Sequence, residues 1–285
     1  MTILEASIVT RRRVRAATFA TAALAALAAC DSAAPAPGSG GPDAAGASPA
    51  AVKLSNDATL GAYLSDGSGK TLYYFGKDLP ASGAAAAASN CKGTCATTWP
   101  PFHAELTKVG DGLTAGDFGE ITRVDGGKQT TYKGWPLYYY SADTAPGAIT
   151  GDDVGHVWFV LRSPFYGVLM MSSIATGGPA HYLADPAGRT LYMFSKDTAG
   201  TASAPPVSAC TTAQCTGAWP QFATDATAVP TAIDKSLTTF QRADGHAQAA
   251  WKGHPLYYFG GDAAPGDTKG DGVGGVWSVI DPTSL

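Results

Sequence analysis

The chain contains the same sequence unit twice, and this duplication constrains its fold more than any other feature. Six residues of the first copy recur 119 positions later: Tyr73 as Tyr192, Cys91 as Cys210, Arg123 as Arg242, Asp125 as Asp244, Tyr138 as Tyr257 and Trp158 as Trp277. Self-similarity at a fixed period is typical of chains built from structural repeats. We therefore predict two homologous domains, repeat one (residues 53–165) and repeat two (residues 173–285).

A shorter motif, Tyr-x-aromatic-x-x-Asp, occurs twice within each repeat. Its Tyr, aromatic and Asp residues are Tyr73, Phe75, Asp78; Tyr138, Tyr140, Asp143; Tyr192, Phe194, Asp197; and Tyr257, Phe259, Asp262. In one interpretation the rings pack within a sheet and the Asp residues form turns. In the other, exposed rings and adjacent carboxylates stack on a sugar, a peptide or an aromatic cofactor. The fourfold occurrence favours architecture over a single active centre.

The motif lies in sequence that is typical of β-hairpins. Asp-Gly turn signals at Asp66, Asp125 and Asp244, and Asp185-Pro-Ala-Gly188, each lie between strand-like runs. Asp78 follows the end of its strand, where a turn or a hydrogen bond from a neighbouring hydroxyl is expected. The sequence therefore predicts an all-β chain with two tandem homologous β domains built from hairpin units.

The N-terminus predicts export and lipidation. Four arginines within 11–15 precede a short apolar run that ends in Leu27-Ala28-Ala29-Cys30. This arrangement is typical of a signal peptide at residues 1–29, and its end resembles the lipobox of bacterial lipoproteins, in which palmitate and other acyl chains anchor the Cys. We predict lipidation at Cys30 and a disordered linker over residues 30–52, because that stretch is rich in Pro, Gly, Ser and Ala.

The other four cysteines form one close pair in each repeat, Cys91 with Cys95 and Cys210 with Cys215. Even numbers of cysteines in an exported chain favour disulfides, and local pairing is the simplest of the three possible connectivities. Such bridges would pin the loops before Trp99 and Trp219. A redox or metal role for the thiols stays open as the alternative.

Composition and motif searches exclude several functions. A net charge of −4 with only 15% charged residues gives no basic face for nucleic acid. The chain has no hydrolase, haem or phosphate-loop motif, so we predict no catalytic residues, no cofactor and a non-enzymatic role. The acidic run 262–271 lacks EF-hand spacing, and we predict no metal site. The histidines, His103, His156, His181, His246 and His254, occupy no matching positions across the repeats.

The combined motifs resemble a bacterial family of secreted-repeat lipoproteins known for the Tyr-x-aromatic-x-x-Asp motif. The resemblance rests on the four motif copies, the segment from Cys91 to Pro101, Thr122-Arg123-x-Asp125-Gly126 and the lipobox. It implies a cell-envelope protein, anchored to the membrane by lipid and facing the periplasm or the exterior, and it supplies no activity. We predict a binding or interaction module for an unknown envelope ligand or protein; the alternative is a redox or metal-handling protein that uses the Cys pairs and the aromatic face.

Overall fold

The structure is a computed structural model that describes residues 50–233 and 236–284. These residues belong to one compact unit. The predicted signal peptide, Cys30 and almost all of the predicted linker lie outside the described residues. The boundaries at 53–165 and 173–285 stay predictions.

Short strands form most of the regular structure, so the all-β prediction is confirmed. The strands are β1 (Val52–Asp57), β2 (Gly61–Asp66), β3 (Tyr73–Phe75), β4 (Phe118–Thr122), β5 (Lys128–Tyr132), β6 (Trp135–Pro136), β7 (Trp158–Val160), β8 (Leu169–Met171), β9 (Tyr182–Ala184), β10 (Tyr192–Phe194), β11 (Leu237–Gln241), β12 (Ala247–Trp251), β13 (His254–Pro255) and β14 (Trp277–Val279). Two short α-helices, α1 (Thr94–Thr98) and α2 (Ala213–Ala218), precede Trp99 and Trp219. No helix in the described ranges is long and apolar enough to cross a membrane.

The sheets repeat along the chain as the sequence does. In the first half β1 pairs with β2, β3 pairs with β7, and β4, β5 and β6 form a three-stranded sheet. In the second half β8 and β9, β10 and β14, and β11, β12 and β13 repeat these three groupings. All named strand pairs are antiparallel. The strand that carries the first motif of a repeat therefore pairs with a strand near the end of the same repeat.

The hairpin around Asp125 has the expected turn. Gly126, at a φ of 84°, donates its amide to Arg123, and the Asp125 carboxylate accepts the Gly127 amide. A positive φ is a conformation that glycine adopts without a Cβ clash, which explains the Asp-Gly sequence. The turn joins β4 to β5, and Asp244-Gly245 repeats it between β11 and β12.

The strands on either side of Asp66 differ from the expected hairpin. β2 pairs along its whole length with β1, whereas a single bridge, Ser65 with Thr71, joins it to the chain that leads into β3. The sequence did not predict β1. It begins at Val52, which the sequence-based division assigns to the linker and which is fully buried. Burial against the rest of the core explains its order, since Val52 removes apolar surface from water.

The hydrophobic core has one part that both repeats share and two parts that belong to single repeats. The shared cluster joins Tyr74 and Trp135 of repeat one to Leu183 and Leu256 of repeat two. A second cluster contains residues of repeat one only, and a third contains residues of repeat two only. The Tyr motifs lie in these two repeat-specific clusters.

Candidate functional site

The two Tyr motifs within each repeat bind one another. The hydroxyl of Tyr73 donates to Asp143 Oδ2 at 2.6 Å, and the hydroxyl of Tyr138 donates to Asp78 Oδ2 at 2.6 Å. The backbone amides and carbonyls of Tyr73 and Tyr138 also exchange hydrogen bonds of 2.9 and 3.0 Å. The Tyr of each motif is therefore the partner of the Asp of the other, and we call this arrangement a reciprocal Tyr–Asp pair.

Repeat two contains the same reciprocal pair. Tyr192 donates to Asp262 at 2.6 Å, and Tyr257 donates to Asp197 at 2.7 Å. All four Tyr residues are fully buried. Their burial is what the architectural interpretation of the motif requires, and it removes them from contact with an external ligand.

Burial also sets the protonation of these groups. It raises the pKa of Asp78 to about 7, against hydrogen bonds from Asn90 and Tyr138 and the nearby charge of Arg123. It raises the pKa of Asp197 and of Asp262 for the same reason. The pKa of each motif Tyr, Tyr73, Tyr138, Tyr192 and Tyr257, rises far above its ordinary value, through burial first and the adjacent carboxylate as well. The phenols therefore keep their protons and serve as hydrogen-bond donors.

A buried arginine connects the reciprocal Tyr–Asp pair of repeat one to the disulfide loop. The Arg123 guanidinium donates to Ser89 Oγ at 2.6 Å, to Gln129 Oε1 at 2.9 Å and to the carbonyl oxygen of Cys91 at 2.7 Å. Ser89 lies 2.7 Å from the hydroxyl of Tyr138. The Arg123 side chain is only 2% exposed, so these bonds form away from water. Arg242 makes the same three contacts with Ser208, Gln248 and Cys210.

Four aromatic rings stack in a column in each repeat. In repeat one the order is Phe75, Trp158, Trp99 and Tyr140, with ring centroids 4.1, 3.9 and 4.1 Å apart. In repeat two the order is Phe194, Trp277, Trp219 and Phe259, with spacings of 4.2, 3.8 and 4.4 Å. We call each stack an aromatic column. The end rings, Tyr140 and Phe259, are only partly buried.

The four cysteines form two disulfides, Cys91 with Cys95 and Cys210 with Cys215. Cys95 lies in α1, which ends directly before Trp99, and Cys215 lies in α2, which ends directly before Trp219. Each bridge therefore holds the helical turn that leads into its column. Cysteines bonded in this way offer no thiolate to a metal. Across the described ranges, no group of three or more His, Cys, Asp or Glu residues could hold a metal ion.

A cleft of about 420 Å³ lies at the partly exposed end of the repeat-two column. Its walls include Phe259, Tyr258, Arg189, Gln221 and Asp262, and Ser82 of repeat one closes one side. The guanidinium carbon of Arg189 lies 4.0 Å from the centroid of the Tyr258 ring. The cleft therefore combines aromatic surface with a guanidinium, an amide and a carboxylate.

A buried carboxylate fixes the polar wall of this cleft. Asp185 is 3% exposed and accepts bonds from Arg189 Nε at 2.8 Å and from the hydroxyl of Tyr258 at 2.9 Å. Arg189 also donates to the hydroxyl of Tyr258 at 2.7 Å. The guanidinium and the ring are therefore held against each other before any ligand arrives.

Repeat one has different residues at the equivalent positions. Lys70 stands where repeat two has Arg189, and its Nζ lies 5.8 Å from the centroid of Tyr139. Pro101 stands where repeat two has Gln221. Phe259 also stands where repeat one has Tyr140. These three departures between the copies are a sequence signal of the cleft, and the motif contributes Phe259 and Asp262 to its wall.

A second, more open depression of about 590 Å³ lies elsewhere on repeat two. The segment Gly200–Pro206 forms much of its wall, with Phe240 and Lys252 at its side. Small side chains and backbone dominate that segment. The cleft beside Phe259 is the better candidate, because its charged and aromatic groups are held in one arrangement.

Three stretches of the chain match a known protein family. Residues 55–103, 119–162 and 238–281 each match the model of the family described as a secreted repeat of unknown function. The chain belongs to this secreted-repeat family. Membership implies an extracellular or envelope location. A search of curated proteins found no match. A search of solved structures found none either.

The matched stretches explain the reciprocal pairs. The first secreted repeat, 55–103, contains Tyr73 and Asp78, and the second, 119–162, contains Tyr138 and Asp143. Since each Tyr binds the Asp of the other unit, one reciprocal pair needs two secreted repeats. The aromatic column has the same requirement, because Phe75 and Trp99 come from the first unit and Trp158 and Tyr140 from the second. Two secreted repeats therefore complete one structural repeat of this chain.

Proposed function

We propose that this protein is a lipid-anchored envelope lipoprotein whose duplicated repeats form a binding module, with the cleft beside Phe259 as the ligand site. The observation that carries the proposal is the prearranged wall of Arg189, Tyr258 and Asp185 next to a partly exposed aromatic ring. The cleft volume of about 420 Å³ lies within the usual range of small-molecule sites, about 300–1,000 Å³.

The charges of the cleft favour a neutral ligand. Arg189 is paired with Asp185 at 2.7 Å, and the wall also contains the carboxylate of Asp262. The cleft therefore has no unbalanced positive charge to attract an anion. Its guanidinium and amide groups can instead donate to and accept from hydroxyl groups.

The aromatic groups narrow the ligand class to a neutral sugar unit. Phe259 packs against Trp219 with ring centroids 4.4 Å apart and a tilt of 32° between the rings, and it remains partly exposed. A flat aromatic surface beside planar polar groups suits the apolar face and the hydroxyls of a pyranose. Envelope polysaccharides supply such units outside the cytoplasm. We propose a neutral oligosaccharide as the ligand.

The cleft is tested by an alanine substitution at Arg189, which repeat one replaces with Lys70. Arg189→Ala is expected to weaken binding of neutral oligosaccharides at least tenfold, about 1.4 kcal/mol, because the polar wall loses its donors. Lys70→Ala, the equivalent change in repeat one, is the control and should leave affinity unchanged. Calorimetric titration with a neutral and an acidic oligosaccharide series measures both. Equal losses in the two variants, or binding of acidic sugars only, would contradict the proposal.

The lipid anchor is tested at Cys30, which lies outside the described residues. Cys30→Ser is expected to abolish membrane association, because the acylated thiol supplies the anchor and the residue sits at the end of the lipobox. The repeats should still fold, since Cys30 precedes both of them in the sequence. Palmitate labelling and membrane fractionation provide the measurement. Labelling of the variant equal to that of the wild type would refute lipidation at Cys30.

A further inference from the structure

Two histidines from different repeats meet on the surface of the molecule. The ring centroids of His156, in repeat one, and His181, in repeat two, are 6.1 Å apart and the rings are nearly perpendicular. The side chain of His156 is 56% exposed, and His181 is partly buried. Neither residue has a histidine at the equivalent position of the other repeat. The duplication of the fold therefore does not account for this pair.

Each ring is held through the same nitrogen. His156 Nδ1 lies 2.8 Å from Asp153 Oδ1, and His181 Nδ1 lies 2.9 Å from Ser172 Oγ. The Asp153 carboxylate only accepts, so His156 Nδ1 donates to it and Nε2 is the nitrogen that can bind a ligand. Ser172 Oγ can accept from His181 Nδ1 in the same way, which gives Nε2 of His181 the same role. Metal-binding histidines typically have this outer contact. Both rings are thus held through Nδ1, the contact that metal-binding histidines usually make with their surroundings.

The backbone at this place is strained in repeat one and not in repeat two. Asp153 has a φ of 64° and His156 a φ of 54°, in the left-handed region. The equivalent residues of repeat two, Gly272 and Gly275, have φ values of 76° and 66°. Glycine adopts this conformation freely, whereas other residues adopt it at a cost in conformational energy. Residues strained in this way are concentrated at functional sites. The Asp153 and His156 side chains stand where glycine would suit the backbone better.

We propose that His156 and His181 bind one divalent transition-metal ion through their Nε2 atoms, with water in the remaining positions. Two imidazoles that share an ion at about 2 Å from each nitrogen have centroids about 5–6 Å apart, close to the separation found. Asp153 and Asp281 add negative charge near His181, and Lys77 adds one positive charge. Because imidazole ligands follow the Irving–Williams order, Cu²⁺ should bind most tightly.

This inference does not depend on the sugar site or on the cysteines. The two histidines lie outside the cleft lining, and the disulfides keep the sulfurs of the four cysteines in the repeats out of the coordination. The metal-handling alternative predicted from the Cys pairs would therefore operate through histidines, at the contact between the repeats.

The test uses the lipidated full chain, purified in detergent without a histidine tag. Titration with Cu²⁺, followed by calorimetry and by the nitrogen hyperfine structure of the electron paramagnetic resonance spectrum, should give one site with two imidazole nitrogens. His156→Gly should weaken binding at least tenfold. Its folding should be unimpaired, since glycine occupies the same conformation at Gly275. His181→Ala should show the same loss.

His103→Ala is the matched control, because His103 is also partly exposed and is not part of the proposed site. Its Nε2 lies 2.8 Å from Glu120 Oε2. It should leave the affinity and the spectrum unchanged. Unchanged Cu²⁺ binding in His156→Gly and His181→Ala would overturn the proposal. A loss in His103→Ala as large as that in His156→Gly would do the same, since the binding would then be general to surface imidazoles.

Discussion

Trp158→Ala is expected to lower the free energy of unfolding by about 3–5 kcal/mol, the range for truncation of buried large aromatic side chains. The Trp158 ring stacks on Phe75 at 4.1 Å and on Trp99 at 3.9 Å, so the change empties the middle of the repeat-one column. It also removes the edge contact with Tyr138, at 5.1 Å. Urea unfolding followed by circular dichroism measures the loss.

Tyr140→Ala provides the control for position within the column. Tyr140 is the partly exposed end ring, and it stacks through one face, on Trp99. Its removal should cost about 1–2 kcal/mol, since less surface is buried and the neighbouring ring can adjust. Trp277→Ala, in the middle of the repeat-two column, should match Trp158→Ala. Equal losses for the middle and end rings of repeat one would contradict the account of the column as a packed core element.

The sequence predicted the duplicated β architecture because equivalent residues of the two repeats keep a constant spacing of 119 positions. Residues 119 positions apart make the same contacts, as Arg123 and Arg242 do with their Ser, Gln and carbonyl partners. For Asp78 the sequence predicted a turn or a hydrogen bond from a neighbouring hydroxyl. It did not identify Tyr138 as the donor, because that contact joins residues 60 positions apart and depends on how β3 meets the chain at Tyr138.

The sequence identified Phe259 and Asp262 of the cleft as motif residues, but it did not identify the other cleft residues or the histidine pair. The cleft depends on Arg189 lying over Tyr258 and on Ser82 from the other repeat, and neither contact leaves a spacing pattern. His156 and His181 were treated as scattered histidines, since they have no counterparts across the repeats. Comparison of the repeats does carry a signal in retrospect, because residues such as His156 and Arg189 depart from the copy that otherwise repeats.

Arg123→Ala is expected to cost as much stability as loss of the column centre, about 3–5 kcal/mol, because it removes one partner from a buried charged network. The guanidinium donates to Ser89, Gln129 and the carbonyl oxygen of Cys91. Its loss leaves buried acceptors without a donor, and each such group costs about 1–3 kcal/mol. Arg123→Lys should recover part of the loss, since one ammonium cannot span all three partners.

Asp125→Ala distinguishes this network from a surface ion pair. Asp125 contacts Arg123 Nε at 3.2 Å, but its side chain is 54% exposed. Removing it should therefore cost far less stability than removing Arg123, because an exposed ion pair contributes little and the only other loss is the turn contact to Gly127. Arg242→Ala should reproduce the Arg123→Ala loss in repeat two. If Arg123→Ala were no more costly than Asp125→Ala, the arginine would contribute only a surface ion pair. In the structure, Arg123 links the reciprocal Tyr–Asp pair to the disulfide loop through its bonds to Ser89 and the carbonyl oxygen of Cys91. That outcome would mean that this link does not stabilise the repeat.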